Sequence, residues 1–146
     1  GEQRLRFNKK QSLNIGVRDL SQSKSYWSVS GQLNWLRKEI PGAYIQIESN
    51  KDSIKKNIND NVNNFDSSHD LVDANEEVST APSNDGYLKI TSSSANRLIE
   101  ANTDKTHDDI YDYNLGNASL VIPDTKYVQE GEHTATVEWN LTNAPQ

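Results

Sequence analysis

The chain contains no cysteine and no methionine among its 146 residues. Disulfides, thiolate nucleophiles and cysteine-ligated metals are therefore excluded, but the compartment stays open because many exported proteins also lack cysteine. Long apolar runs are missing too. The longest, at 43–47 and 120–122, fall far short of the roughly 20 residues that a membrane helix needs. We therefore expect no membrane insertion.

Basic residues are in the minority, with 15 Lys and Arg against 21 Asp and Glu, so the formal net charge is -6. This balance argues against a nucleic-acid-binding protein, whose surface must neutralise phosphates. The distribution is uneven, because residues 1–40 hold 8 basic and 3 acidic residues whereas 41–146 hold 7 and 18. The basic part could help to hold the protein on an anionic polymer, although charge runs usually mark solvated faces.

The strongest pattern that is present is two-residue alternation of apolar and polar side chains, which is typical of half-buried strands. It predicts strands near 13–18, 27–35, 43–47, 87–90, 118–122 and 133–141. Turn residues separate several of them, as at Pro41-Gly42 and Pro123-Asp124. Gly31 interrupts the second strand and predicts a bulge or bend there.

Six or more short strands without interleaved helices predict an all-β fold, a β-sandwich of immunoglobulin-like or related architecture. The length predicts a single domain over 1–146. Residues 49–80 are rich in Asn, Asp and Ser and predict a polar insertion or long loop. Its apolar residues follow a helical spacing that permits one short amphipathic helix: Ile54, Ile58, Val62 and Phe65. Residues 95–101 predict a second helical or irregular stretch.

No motif predicts catalysis, a metal site or a cofactor. The three histidines, His69, His107 and His133, lack a metal-ligand spacing, and no serine lies in a Gly-x-Ser-x-Gly context. Four residues match the spacing of a calcium-binding loop: Asn59, Asn61, Asn63 and Asp70. The acidic first residue, the central Gly and the terminal Glu of such a loop are missing. An acidic cluster could bind a cation or act as a carboxylate pair, but a solvated loop explains it at least as well. Its residues are Asp104, His107, Asp108, Asp109 and Asp112.

Two Trp-x-hydrophobic motifs lie near opposite ends of the chain. Residues 13–19 read as a hydrophobic strand that ends in Asp19 and leads to Trp27-Ser28-Val29. Residues 131–145 form a Gly-initiated, Thr- and Ala-rich strand with Trp139-Asn140-Leu141. Together they resemble the WxL domain of Gram-positive cell-wall surface proteins, with Val in the third position of the first motif. The resemblance spans about 13–47 and 115–145.

The resemblance implies a secreted, cell-wall-associated module without catalytic activity, which attaches non-covalently to peptidoglycan or an associated wall polymer. The alternative is an interaction subunit of a bacterial surface complex that docks a companion membrane-anchored surface protein. No Leu-Pro-x-Thr-Gly motif for covalent anchoring is present.

The motif residues Trp27, Val29, Trp139 and Leu141 fall on the apolar faces of their strands, so we predict that they belong to the core. The alternative makes each tryptophan a platform for sugar rings. Core burial of a tryptophan removes about 150–250 Å² from water, so a Trp139→Ala variant would be expected to unfold. The better candidates for a surface contact are Trp35, Arg37 and Lys38.

Overall fold

The structure, a computed structural model, describes residues 1–6, 14–19, 26–48, 54–102 and 110–143. These ranges contain a single-turn helix α1 (Ser67–Asp70), a 3-10 turn at Thr125–Tyr127 and twelve strands. The strands are β1 (Gln3–Arg6), β2 (Asn14–Arg18), β3 (Ser28–Arg37), β4 (Tyr44–Glu48), β5 (Ile54–Asn57), β6 (Leu71–Asp73), β7 (Val78–Thr80), β8 (Tyr87–Ile90), β9 (Asn96–Ala101), β10 (Ile110–Asn114), β11 (Ala118–Ile122) and β12 (Thr134–Thr142).

The strands form three antiparallel four-stranded sheets, which confirms the predicted all-β, sandwich-like fold. Sheet A has the order β1-β11-β4-β8, sheet B the order β2-β10-β5-β6 and sheet C the order β12-β3-β9-β7. Each strand predicted from alternation has a counterpart in them. No helix in the described ranges is long and apolar enough to cross a membrane.

Sheets A and B are linked by the same two stretches of chain. β4 pairs with β11 in sheet A, and β5, which follows β4 in the chain, pairs with β10 in sheet B. At the junction the backbone N–H of Glu48 donates to the carbonyl of Asn117 at 3.2 Å, and Asn117 donates its side-chain amide to the Glu48 carboxylate at 3.0 Å. The two sheets therefore follow each other along one antiparallel ribbon.

One buried apolar cluster draws side chains from all three sheets. Sheet B contributes Tyr111 and Tyr113 from β10, sheet A contributes Ile47 from β4 and Ile90 from β8, and sheet C contributes Leu98 from β9. These side chains are at most 1 % exposed. Each such residue contributes about 1.5–3 kcal/mol through burial, so the sheets depend on one another for their stability.

Trp27 is the anchor between sheets B and C. Its side chain is 2 % exposed, and its indole N–H donates to the buried carboxylate of Asp19 at 3.1 Å. The ring packs against Tyr111 at a centroid distance of 5.8 Å. The backbone carbonyl of Trp27 accepts a hydrogen bond from the backbone N–H of Ala101 at 2.8 Å. Val29 is equally buried. The core prediction is confirmed for Trp27 and Val29.

Two local predictions are wrong. The helical spacing from Ile54 to Phe65 belongs to strand β5 followed by an irregular loop, and the only helix within the described part of 49–80 is the single turn α1. The stretch at 95–101 contains strand β9. Described residues of the polar excursion also supply β6 and β7, which are edge strands of sheets B and C, so this segment completes two sheets and is not a simple loop.

Gly31 has a packing role that the alternation pattern did not reveal. The register shift between β3 and β9 lies between Val29 and Ser30, close to the bulge or bend predicted at Gly31. Gly31 itself lies opposite Trp139, and a Cβ atom there would lie 3.0 Å from Cζ3 of the indole. The missing side chain thus makes room for the ring.

We expect Asp19→Ala to destabilise the fold by about 1–3 kcal/mol, because it leaves the buried indole N–H of Trp27 without this acceptor. Asp19→Asn should cost less, since the amide oxygen can still accept. Urea denaturation measures both free energies of unfolding. Asp73→Ala serves as the control, because it removes only an exposed ion pair with Lys55. An equal loss in Asp19→Ala and Asp73→Ala would contradict the assigned role of Asp19.

Candidate functional site

An apolar cleft lies between sheets A and C, whose edge strands include β1 and β12. It has a volume of about 690 Å³. Five strands line it, namely β1, β3, β4, β11 and β12, together with Ile40 and His133, which lie outside the strands. The lining residues are Leu5, Leu33, Trp35, Ile40, Ile45, Leu120, His133, Ala135, Thr136, Val137 and Trp139. A mostly apolar lining with few polar groups is typical of binding sites.

Trp139 and Leu141 do not belong to the core, so the prediction for them is wrong. Trp139 is 39 % exposed and Leu141 is 53 % exposed. The physical reason is their place at the edge of sheet C. Leu141 lies directly opposite Val29, but Val29 is in an interior strand whereas Leu141 is in the outermost one. Alternation identifies the apolar face of a strand, but it does not show whether another sheet covers that face.

The two Trp-x-hydrophobic motifs come together in sheet C although about a hundred residues separate them in the sequence. They nevertheless have different environments. The first motif packs inside the molecule around Trp27, whereas the indole of Trp139 rests on Gly31 at the wall of the cleft. Only the second motif is therefore placed to contact a partner.

Trp35 lies deeper in the cleft than was expected for a surface contact. It is only partly exposed and packs against the buried clusters on both sides. Its indole Nε1 is buried and has no hydrogen-bond partner among the described residues. An unpaired buried N–H costs about 1–3 kcal/mol. The indole N–H of Trp35 therefore destabilises the fold, in contrast to that of Trp27, which has an acceptor.

Arg37 and Lys38 face the loop that precedes β12. The Lys38 ammonium donates to the carbonyl of Glu130, and the Arg37 guanidinium lies 3.8 Å from the Glu132 carboxylate in an exposed pair. The ring nitrogens of His133 lie 2.6 Å and 2.7 Å from the carbonyl oxygens of Lys38 and Gln129. These contacts hold the end of β3 to the start of β12, so the two cations help to shape the end of the cleft.

The sequence did not predict the contribution of Leu5, Ile40 and Leu120 to the cleft. β1 has only four residues, and its Leu5 stands alone between Arg4 and Arg6. Such a short segment gives no clear period. Its pairing with β11, which places Leu5 opposite Leu120, is a long-range contact that a local pattern cannot show.

The loop from Asn57 to Asp70 uses its side-chain oxygens for its own backbone. The Asn59 side chain accepts from the N–H of Asn61 at 2.8 Å, and Asp60 accepts from the N–H groups of Val62 and Asn63 at 2.9 and 2.8 Å. Asn59 also donates to Asp70 at 2.8 Å. Such local bonds stabilise turns. The described residues hold no group of three or more acidic or histidine side chains suited to a metal ion.

Of the acidic cluster, Asp112 lies within the described residues. Asp104, His107, Asp108 and Asp109 lie outside the described residues. Asp112 lies in β10, where burial raises the pKa of its carboxyl group. Its register partners are Gly16 and Lys55.

No family model, curated protein or solved structure matches this chain. The resemblance to the WxL domain therefore stays a prediction.

We expect Trp139→Ala to remain folded, in contrast to the outcome expected from the sequence. The loss should be about 1–2 kcal/mol because the side chain is already partly exposed. Trp27→Ala should cost about 3–5 kcal/mol, as is usual for a buried aromatic residue. Circular dichroism during urea denaturation tests both. Equal losses in the two variants would show that Trp139 is a core residue.

Asp70 should contribute to the acid stability of this loop. It accepts from Asn59, from the N–H of Asp66 and from His69, and these bonds, led by that of Asn59, lower its pKa from 3.8 to about 2. A lowered folded-state pKa stabilises the fold above about pH 4, and this contribution is lost as the pH falls towards 2. Asp70→Asn should flatten that part of the stability curve.

Asn59→Ala provides the second variant for this measurement. It removes the largest cause of the lowered pKa, so the acid-induced loss of stability should be smaller than in the wild type and should end at a higher pH. Thermal unfolding between pH 2 and 6 measures all three proteins. Identical acid limbs for wild type and Asp70→Asn would contradict the assignment. His69 has the opposite sign, since its hydrogen bond with Asp70 raises its pKa and its contribution is lost as the pH rises.

Proposed function

We propose that this chain is a non-catalytic docking module that binds an apolar segment of a partner protein in the cleft between β1 and β12. The observation that carries the proposal is the partly exposed indole of Trp139 beside an apolar cleft of about 690 Å³. Exposed tryptophans at the centre of an apolar patch are frequent binding hot spots between proteins. Leu5 of β1, which also lines the cleft, is exposed as well.

The lining of the cleft favours a protein segment over a buried sugar. Its polar side chains besides the two indoles are His133 and Thr136, and both ring nitrogens of His133 already face backbone carbonyls. Sugar hydroxyl groups lose their water on burial and need replacement hydrogen bonds, whose absence costs several kcal/mol. Apolar side chains carry no such cost.

The partner class comes from the resemblance to the WxL domain. A companion membrane-anchored surface protein, encoded alongside, is the natural candidate. We expect its purified extracellular part to bind this chain, and Trp139→Ala to weaken that binding by about 30-fold or more, as for a hot-spot residue. Phe65→Ala is the matched control, since Phe65 is an exposed aromatic residue in the loop between Asn57 and Asp70.

Isothermal titration calorimetry of the three proteins against that partner tests the proposal. Equal affinities of wild type and Trp139→Ala would remove the cleft as the binding site. An absence of binding by the wild type would remove the partner.

Attachment to peptidoglycan or an associated wall polymer is the second candidate, with the protein secreted and associated with the wall. It is favoured by the exposed indole of Trp139, whose face can stack on a sugar ring. We expect the folded protein to sediment with purified sacculi and Trp139→Ala to remain in the supernatant. Retention of both proteins to the same extent would exclude this role for Trp139, and a wild type that stays in the supernatant would exclude wall binding.

A further inference from the structure

The outer edge of β12 is long, and no strand of the described residues pairs with it. β12 pairs with β3 over its nine residues and is the last strand of sheet C. No described strand pairs with its other side. An exposed edge presents a row of backbone donors and acceptors that can pair with another chain. Proteins usually protect such edges with proline or charge, but Glu138 is the only charged residue in this strand.

The sequence of β12 is chemically symmetrical about Trp139. Reading outward in both directions, Glu138 corresponds to Asn140, Val137 to Leu141 and Thr136 to Thr142. When two identical strands pair antiparallel around a two-fold axis at Trp139, each residue lies opposite its counterpart. Trp139 then pairs with Trp139, Val137 with Leu141 and Thr136 with Thr142, and such like pairs stabilise sheets. Glu138 lies opposite Asn140, and Ala135 lies opposite Asn143.

Neighbouring registers match less well. An axis through Glu138 places two carboxylates opposite each other, which destabilises the pair. An axis at Asn140 loses the three like pairs, because it places Trp139 opposite Leu141, Glu138 opposite Thr142 and Val137 opposite the polar Asn143. An axis between two residues places the apolar face of one strand beside the polar face of the other, because side chains alternate with a period of two. The sequence therefore selects the register centred on Trp139.

We propose that two copies of this chain associate through the edges of β12 and form one continuous eight-stranded sheet. Such a dimer is isologous, since the same surface serves both partners and the assembly closes at two. It covers the exposed side chains of Trp139 and Leu141 on both copies. This inference goes beyond the proposed function and describes the protein without its partner, whose site the dimer overlaps.

The dimer should be weak and dependent on salt. A single pair of edge strands lies near the lower end of the size range of specific interfaces, about 1,200 Å², so we expect a dissociation constant of about micromolar order. Each copy carries a net charge of -6. Because salt screens the repulsion between the copies, added salt should strengthen the association.

Two substitutions of Asn140 test the register. In the dimer, Asn140→Lys brings an ammonium opposite Glu138 of the other copy, twice per dimer, whereas Asn140→Glu brings two like-charged pairs together. We expect about tenfold tighter and about tenfold weaker association, respectively. Asn84→Lys and Asn84→Glu change the net charge equally in an exposed loop outside sheet C, and should alter the association much less.

Sedimentation velocity across the micromolar range measures the dissociation constants, and urea denaturation of each variant checks that the monomer fold is kept. A wild type that stays monomeric throughout would overturn the proposal. So would a dimer that responds to residue 84 as strongly as to residue 140. The assay contains no partner protein, so its failure would leave the docking function unaffected, and a failure of docking would leave the dimer unaffected.

Discussion

The hydrogen bond between the Trp27 indole and the Asp19 carboxylate, 3.1 Å long and buried, joins the parts of the molecule that carry its core. Asp19 directly follows β2 of sheet B, and Trp27 directly precedes β3 of sheet C. The ring also packs on Tyr111. A tryptophan at this position adds about 150–250 Å² of buried surface, and its only polar atom is satisfied. The two sheets are thus fixed to each other where the chain passes between them.

The cleft lies between sheets A and C, where β1 and β12 are edge strands. The loop before β12 is held by Lys38 and His133 through backbone carbonyls. The cleft wall is therefore supported at one end by directed hydrogen bonds and along its length by the pairing of β12 with β3. A preformed site of this kind loses little conformational entropy when it binds a partner.

Much of the fold could be predicted from local pattern, because a strand with one buried face must alternate. β3, β4 and β12 are examples. The strands that escaped prediction are short or polar, such as β1 with its single leucine and β5 with Lys55 and Lys56. Their identity depends on pairing with distant strands. In the polar excursion the helical spacing was no guide to structure, because Ile58, Val62 and Phe65 are exposed and form no buried face.

The candidate site was only partly predictable. The sequence identified Trp35 and Trp139 as the residues of interest but exchanged their environments, because alternation does not distinguish an edge strand from an interior one. The cleft itself depends on which strands become outermost, and that is a property of the assembled sheets. Gly31 gave a usable indication, since a glycine within a strand often marks a close approach of another group. Here that group is the indole of Trp139.

The three tryptophans lie in three different environments, and this gives the molecule a built-in optical reporter. Trp27 is enclosed beside a carboxylate, Trp35 is partly exposed, and Trp139 is open to solvent on one side. A water-soluble quencher can therefore contact the indole of Trp139 and lower its fluorescence, whereas it cannot reach the indole of Trp27. Occupation of the cleft would be visible as protection from quenching in the unlabelled protein, without the addition of a dye or a cysteine.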